Sequence, residues 1–320
     1  MKYSEIIKVL ESIGVDDPQT EALVILESLF GASRAIIMAD KEREYNSSAL
    51  DSLLEQRKKR IPIQYILGEW EFMGKKFYVS KDCLIPRPDT EILVEKALEI
   101  LKNRTQGGVF QEKCKMQNAK CKITPHPSAE PTPSPQVEGK GGTGVFENGL
   151  DVADLCTGSG CIGLSLLMYG DIEKMTLMDI SCEALKMAQK NAELHGLLNM
   201  CEFIEGDITK EMPKRKFDLI VSNPPYIPSK DIETLSEEVK KEPMLALDGG
   251  NDGLDIIRFL IGDGLSYLKE NGAMLIEFGY DQGEIMDTLL RQKRDTGSIK
   301  SYEILHDYGN NPRVAWQSLL

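Results

Sequence analysis

Histidine is scarce in this chain. His126, His195 and His306 are the only three among 320 residues, and they do not cluster. That gives no reason to expect a catalytic metal held by imidazoles. The seven cysteines are an odd, scattered number with no Cys-x-x-Cys pair, so they read as reduced, mostly buried thiols. No run approaches the roughly 18 consecutive apolar residues of a membrane span. Met1-Lys2-Tyr3-Ser4-Glu5 leads directly into an amphipathic pattern, without the apolar core of a signal peptide. The expectation is a cytoplasmic protein that makes no use of a membrane. Positive charge is also in deficit, with 38 Lys and Arg against 51 Asp and Glu, a net charge of −13. A protein that coats long nucleic acid needs the opposite balance, because its affinity comes from neutralising phosphates. The candidate basic patch, Arg57-Lys58-Lys59-Arg60, reads as a solvated helix end with its cations near the C-terminal dipole.

What is present is a 41% apolar chain long enough for one large or two ordinary domains. Residues 1–60 carry helical spacing in four stretches. One contains Ile6, Ile7, Val9, Leu10 and Ile13, one starts at Asp17-Pro18, a short one is capped by Ser33, and one spans Ser47 to Arg60. Pro62 breaks that pattern, and two aromatic-rich runs around Gly74 predict a β-hairpin. Leu84-Ile85-Pro86-Arg87-Pro88-Asp89-Thr90-Glu91 is a stiffened segment entering a helix to about residue 102. Residues 103–149 are rich in proline and glycine and poor in apolar residues, and predict a disordered insertion. From 150 onward, strands at Asp151–Leu155, Met175–Asp179, Cys201–Ile204, Phe217–Ser222 and Gly272–Phe278 alternate with helices. This is the signature of a parallel, doubly wound α/β sheet. Two further strands, Ser301–Asp307 and Arg313–Leu319, predict a hairpin that appends an antiparallel strand.

Asp154-Leu155-Cys156-Thr157-Gly158-Ser159-Gly160-Cys161-Ile162-Gly163 follows the first of these strands and opens a helix. Glycines let a backbone approach a ligand closely, and a helix N-terminus adds donors. Gly158-x-Gly160-x-x-Gly163 fits a dinucleotide loop, so the pattern alone does not separate NAD from other adenosine cofactors. Asp179 ends the next strand, where a carboxylate can accept both ribose hydroxyls. Asp207, in Gly206-Asp207-Ile208, falls where an adenine ring would sit.

Asn223-Pro224-Pro225-Tyr226 then ends a buried strand. In isolation it reads as a proline turn. Beside an adenosine cofactor it suits the holding of a planar, weakly nucleophilic NH2 group. Asn223 offers a side-chain carbonyl, Pro224 has a carbonyl but no N–H, and Tyr226 has a flat face for stacking. A dehydrogenase has no use for this tetrad, whereas a methyltransferase acting on nitrogen does.

With Gln64-Tyr65-Ile66-Leu67-Gly68, Leu84–Glu91, the Asp154–Gly160 loop, Asn223–Ile227, Glu242-Pro243, Asp248-Gly249-Gly250, Asp252-Gly253-Leu254 and Glu277–Gly283, the chain resembles the release-factor glutamine methyltransferases. These are class I enzymes dependent on S-adenosylmethionine. The resemblance spans nearly everything except 103–149. It implies a Rossmann-like seven-stranded sheet with its last strand antiparallel. It also implies an N-terminal helical substrate-recognition domain at 1–68, a hairpin linker at 69–83 and a methyltransferase domain at 84–320. The implied reaction is methylation of the glutamine amide in the Gly-Gly-Gln motif of peptide-chain release factors. Cofactor contacts carry over to Cys156, Thr157, Gly158, Ser159, Gly160, Asp179, Asp207, Ile208 and Asn223, and substrate contacts to Asn223, Pro224, Pro225 and Tyr226. Catalysis falls to Asn223, Pro224 and Tyr226.

Cys156 stands where the family usually has glycine, and its Cβ predicts a negative φ and a modest loss of donor affinity. No histidine or carboxylate is expected beside Asn223, so positioning rather than a general base would drive the transfer. The alternatives are a glutamine methyltransferase of a ribosomal protein, an adenine-N6 DNA methyltransferase with the same tetrad, and a noncatalytic sensor of the cofactor. Net charge disfavours the DNA reading, and the expectation is a monomer without a nucleic-acid substrate.

Overall fold

The computed structural model describes residues 1–105 and 149–319. Helices α1 (Tyr3–Ser12), α2 (Pro18–Phe30), α3 (Arg34–Ala39) and α4 (Ser48–Lys58) occupy the four stretches with helical spacing. Their ends follow from local chemistry. Asp17 accepts the Thr20 N–H at 3.0 Å and Pro18 supplies a preset first turn, while Gly31 ends α2 in the left-handed region. Ser47 accepts the Leu50 N–H at 3.0 Å. Ile6, Leu10, Ile25, Leu26, Ile37 and Leu50 meet in one core cluster. Pro62 breaks the helical pattern as expected, standing between the end of α4 and a fifth helix, α5 (Ile63–Leu67), which it caps and which Gly68 ends at φ 75°. A proline lacks only a donor that a helix start does not use.

The basic run behaves differently from the solvated helix end expected. Arg57 is 2% exposed and pairs with Glu21 at 2.6 Å and Glu238 at 3.3 Å, while Arg60 reaches Glu238 at 2.5 Å. Burial of a guanidinium demands anionic partners, and these lie far away in the sequence. Glu238 belongs to the segment after the Asn-Pro-Pro-Tyr tetrad, so this cluster fastens the helical bundle to the region of the tetrad.

Strands β1 (Glu69–Phe72) and β2 (Lys75–Tyr78) form the expected hairpin, with Met73 and Gly74 both at positive φ in the turn. Helix α6 (Glu91–Thr105) runs three residues into the stretch assigned to the insertion. The rest of that stretch, 106–148, lies outside the described residues.

The remaining elements are β3 (Asp151–Leu155), α7 (Cys161–Tyr169), β4 (Lys174–Asp179), α8 (Cys182–Leu194), β5 (Cys201–Glu205), β6 (Phe217–Ser222), α9 (Met244–Leu247), α10 (Asp255–Leu260), β7 (Leu268–Glu277), α11 (Gly283–Asp295), β8 (Ser301–His306) and β9 (Pro312–Ser318). The sheet order is β5-β4-β3-β6-β7-β9-β8. All neighbours are parallel except those of β9, which slots antiparallel between β7 and β8. The terminal hairpin therefore joins the sheet through its second strand. Two apolar clusters, one around Leu164, Leu177 and Leu219 and one around Ile220, Met274 and Ile276, cover the two faces. Strands buried on both faces read as continuous apolar runs, which is why β6 was plain from the sequence. The strand order reverses between β3 and β6, and a crevice is expected at their carboxyl ends.

Candidate active site

A cavity of about 280 Å³ occupies that crevice. Of the site residues expected from sequence, Cys156, Thr157, Gly158, Ser159, Asp179, Asp207, Ile208, Asn223 and Pro225 line it. Gly160, Pro224 and Tyr226 do not. Gly160 is the left-handed cap that starts α7 at φ 79°, Pro224 is buried, and Tyr226 turns its hydroxyl toward Glu277 at 3.4 Å.

The loop after β3 is shaped from beneath. Asp154, fully buried, accepts the Thr157 hydroxyl at 2.7 Å and the Gly163 N–H at 2.9 Å through one carboxylate oxygen, while the other has no partner. Burial pushes its carboxyl up to about 7, against the lowering effect of those two hydrogen bonds. A Cβ at Gly163 would stand 2.5 Å from the Leu177 Cδ2 methyl, which would have to move aside for any side chain there. The Thr157 N–H crosses to Met178 O at 3.0 Å, tying the loop to the end of β4.

The expected negative φ at Cys156 is overturned, because the residue sits at φ 59°. The grip of Asp154 on Thr157 and the bond from Thr157 to β4 together demand a tight left-handed turn there. Holding a side chain in that region costs roughly 1–2 kcal/mol. The Cys156 side chain packs against the cluster under β3, and burial pushes its thiol up, which leaves it a thiol.

Asp179 accepts the Gly158 N–H at 2.9 Å on one oxygen and the Ser181 N–H at 2.8 Å on the other. Burial raises its pKa against these amide bonds. Asp179 lines the cavity, where a carboxylate can accept further hydrogen bonds such as a diol donates. Asp207 is spoken for locally. It accepts the Thr209 hydroxyl at 2.7 Å and pairs with Lys210 at 2.8 Å, which holds its carboxyl at about 2. Its backbone and Ile208 therefore offer the more open wall.

On the opposite side, Asn223 donates its Nδ2 to the Thr90 hydroxyl at 3.4 Å, and its Oδ1 is buried without a partner. A buried, unpaired acceptor costs free energy, and a donor brought by a ligand relieves it. The backbone of the tetrad is clamped. Gln282 donates to Tyr226 O at 2.9 Å while accepting the Gly279 N–H at 2.8 Å, and Ile227 bridges to Asp248. Gly249 must lack a side chain, because a Cβ would lie 2.7 Å from Pro225 O and Tyr226 Cα. The flanking glycine and Gln282 motifs are thus the support of the tetrad. Glu242, 6% exposed, accepts the Ile85 N–H at 3.0 Å and holds Arg87, laying the Leu84–Glu91 segment along the cavity.

The expectation that no carboxylate stands near Asn223 is also corrected. Ser222 pairs with Ile276 in the β6–β7 ladder, so the next residues, Asn223 and Glu277, emerge side by side. Glu277 is 1% exposed, and burial pushes its carboxyl up to about 7, against the lowering effect of Thr90 and the Arg313 guanidinium. The signal was an acid ending an otherwise apolar strand. Thr90 carried none. Among the described residues, no group of three or more His, Cys, Asp or Glu could hold a metal, and no helix is long and apolar enough to cross a membrane.

Residues 145–306 match the methyltransferase small domain, and residues 3–68 match the PrmC N-terminal domain. The release factor glutamine methyltransferase of Aquifex aeolicus (strain VF5) is 33% identical over 318 residues, which cover 98% of this chain and 94% of that protein. The release factor glutamine methyltransferase of Coxiella burnetii (strain RSA 493 / Nine Mile phase I) is 35% identical over 277 residues, covering 86% and 83%. Among solved structures, the hMettl16 catalytic domain in complex with MAT2A 3′UTR hairpin 6 shares the fold. Its TM-score is 0.52 at 11% identity, with 88% of this chain and 94% of that one covered.

Proposed function

This chain belongs to the release factor glutamine methyltransferase family, and we propose that it methylates the glutamine amide nitrogen in the Gly-Gly-Gln motif of peptide-chain release factors. It is a methyltransferase, and S-adenosylmethionine is its donor. The donor supplies an electrophilic methyl group on a sulfonium. The observation that carries the reading is the unpartnered Oδ1 of Asn223 in a cavity whose other wall is a glycine loop and Asp179.

In this reading Asp179 takes the ribose diol, the Ile208 wall and the Asp207 backbone meet the adenine, and residues 156–160 surround the methionine part. Asn223 Oδ1 and the Pro224 carbonyl accept the two N–H bonds of the substrate amide. An amide nitrogen is a poor nucleophile, because its lone pair is delocalised. Two acceptors fix it in line with the methyl and favour its pyramidalisation. Holding two reactants in attack geometry supplies roughly 7–11 kcal/mol. The alkylated nitrogen is strongly acidic and sheds its proton after transfer. Tyr226 supports the tetrad through its carbonyl and ring packing. Residues 1–68 recognise the release factor, 69–83 link, and 84–320 catalyse. The enzyme works as a monomer in the cytoplasm, without a nucleic-acid substrate.

The test uses tritiated donor with four separate acceptors: a release factor, the same factor with Gln→Ala in Gly-Gly-Gln, a ribosomal-protein mixture, and DNA. Label in the intact factor alone is the expected result. Label in the ribosomal proteins or in DNA alone would replace the proposed substrate.

A further inference from the structure

The strand order β7-β9-β8 shapes the surface beside Asn223. Because β9 runs antiparallel between β7 and β8, the turn that joins β8 to β9 lies at the carboxyl end of β7, where the chemistry is. Three segments meet there: the start of α6, the loop after β7, and that turn. Arg313 ties them together. Its guanidinium pairs with Asp89 at 3.2 Å and Asp307 at 3.0 Å, and lies 6.0 Å from the centroid of the Tyr280 ring. The loop after β7 presses on the turn so closely that a Cβ at Gly283 would stand 2.5 Å from Pro312. The same segments reach the tetrad. The Thr90 hydroxyl lies 3.4 Å from Asn223 Nδ2, and Glu277 lies 3.4 Å from the Tyr226 hydroxyl.

Two large rings face solvent on this braced surface. Tyr280 is 63% exposed and Tyr308 is 76% exposed, the highest value for a large apolar or aromatic side chain among the described residues. Neither ring fills a core. Rings held by a rigid frame are the anchors that protein interfaces use, because they bury much area and give up little side-chain freedom. The charge beside them is negative. The Tyr308 hydroxyl lies 3.5 Å from Glu95, and desolvation, then the Glu95 and Glu91 carboxylates, raise its pKa. Arg313 is already shared between two carboxylates. Ring faces and carboxylates attract the same group, a cation, and repel phosphate.

We infer that Tyr280 and Tyr308, with Glu95 between the rings and α6, dock a Lys- or Arg-bearing segment of the protein substrate beside the glutamine that enters the cavity. This rests on the release-factor reading above. The rings pack on the alkyl stems of the basic side chains, and the Glu95 carboxylate meets their charged heads. The surface continues the wall that holds Asn223, so one polypeptide can place its glutamine at Asn223 and its basic neighbours on the rings.

The experiment measures kcat and KM for release factor with the full chain at about 50 and 300 mM salt, alongside donor affinity by calorimetry. The double variant Tyr280→Ala with Tyr308→Ala raises KM by about 10- to 100-fold, while kcat and donor affinity stay within about threefold. Tyr280→Phe with Tyr308→Phe keeps the rings and stays within about threefold of wild type in KM. Wild-type KM rises with salt, and Glu95→Gln raises KM at low salt and flattens that rise. A labelled RNA oligonucleotide binds the wild type no better than the double alanine variant.

Wild-type KM in the double alanine variant, a loss that falls on kcat or donor affinity instead, or a wild-type KM indifferent to salt would each overturn the inference. RNA that binds the wild type and not the double alanine variant would overturn it too, by giving the rings to nucleic acid. Should the alanine variant fail to fold, the salt series and Glu95→Gln still decide the matter. A wild-type enzyme that labels no release factor overturns the proposed function and this inference together, whereas labelling with an unchanged KM in the alanine variant overturns the inference alone.

Discussion

The two walls of the cavity are built on opposite plans. On the donor wall the recognising groups are already engaged: Asp179 holds two backbone amides, and Asp207 holds Thr209 and Lys210. On the acceptor wall the recognising atom, Asn223 Oδ1, is buried and unsatisfied. Behind each wall stands a buried carboxyl raised to about 7, Asp154 under the donor loop and Glu277 beside the tetrad. Asp154 grips its loop directly through two hydrogen bonds, whereas Glu277 meets the tetrad through the Tyr226 hydroxyl at 3.4 Å. The difference teaches where specificity is stored. A cofactor of fixed shape suits a rigid, preformed wall, while a substrate amide is distinguished by an acceptor that nothing else satisfies.

The largest effect expected from breaking this contrast is at Asn223. Asn223→Ala removes the orphan acceptor and lowers kcat by roughly 10²–10³-fold or more, as loss of one preorganised catalytic hydrogen bond does. Donor affinity by calorimetry stays near wild type. Wild-type turnover in this variant would sink the positioning mechanism.

On the opposite wall, Asp154→Ala frees Thr157 and Gly163 and leaves a cavity. It should cost about 2–4 kcal/mol in chemical denaturation and weaken donor binding as the loop relaxes. Donor binding unchanged at that cost would show that the loop keeps its shape without Asp154.

The two buried carboxyls also set how stability varies with pH. Their folded pKa values, about 7, lie above the ordinary 3.8 and 4.5. Their stabilising contribution is therefore fully present below those ordinary values and is lost as pH rises through about 7. The melting temperature should fall by several degrees between pH 5 and pH 8. Glu277→Gln should flatten that fall and melt higher than wild type at pH 8. A Tm that rises across this window would contradict both assignments.

The smallest effect is expected at Cys156. Cys156→Gly relieves left-handed strain but loses side-chain burial and gains chain entropy when unfolded, so the net change is under about 1 kcal/mol. Donor affinity stays within about threefold, because the backbone already adopts the conformation that glycine would take. A larger gain in affinity would restore the view that the cysteine impairs the donor loop.

The strands of the sheet were legible because parallel strands buried on both faces are continuous apolar runs, and the glycine loop and the tetrad were legible because their residue types are unusual. What escaped was set by distance in the chain. Arg57 looks like a surface cation until Glu21 and Glu238 close around it. Glu277 carries a motif but shows its neighbour only through the Ser222–Ile276 register. Thr90 is an ordinary threonine until it lies against Asn223. The φ of Cys156 escaped for another reason. A steric preference worth about 1–2 kcal/mol was read as a rule, and the two hydrogen bonds that anchor Thr157 outweigh it.

The junction between α6 and β3 has a consequence of its own. The chain leaves after α6 and returns at Gly149, just ahead of β3, while the chemistry lies at the other end of that strand. Five residues of strand put about 16 Å between the two. The described ends of that junction, Thr105 and Gly149, are not among the residues that line the cavity, and closing a longer loop between them costs little. The junction suits a graft. A reporter or affinity sequence placed between Thr105 and Gly149 would leave every motif of the described residues in register.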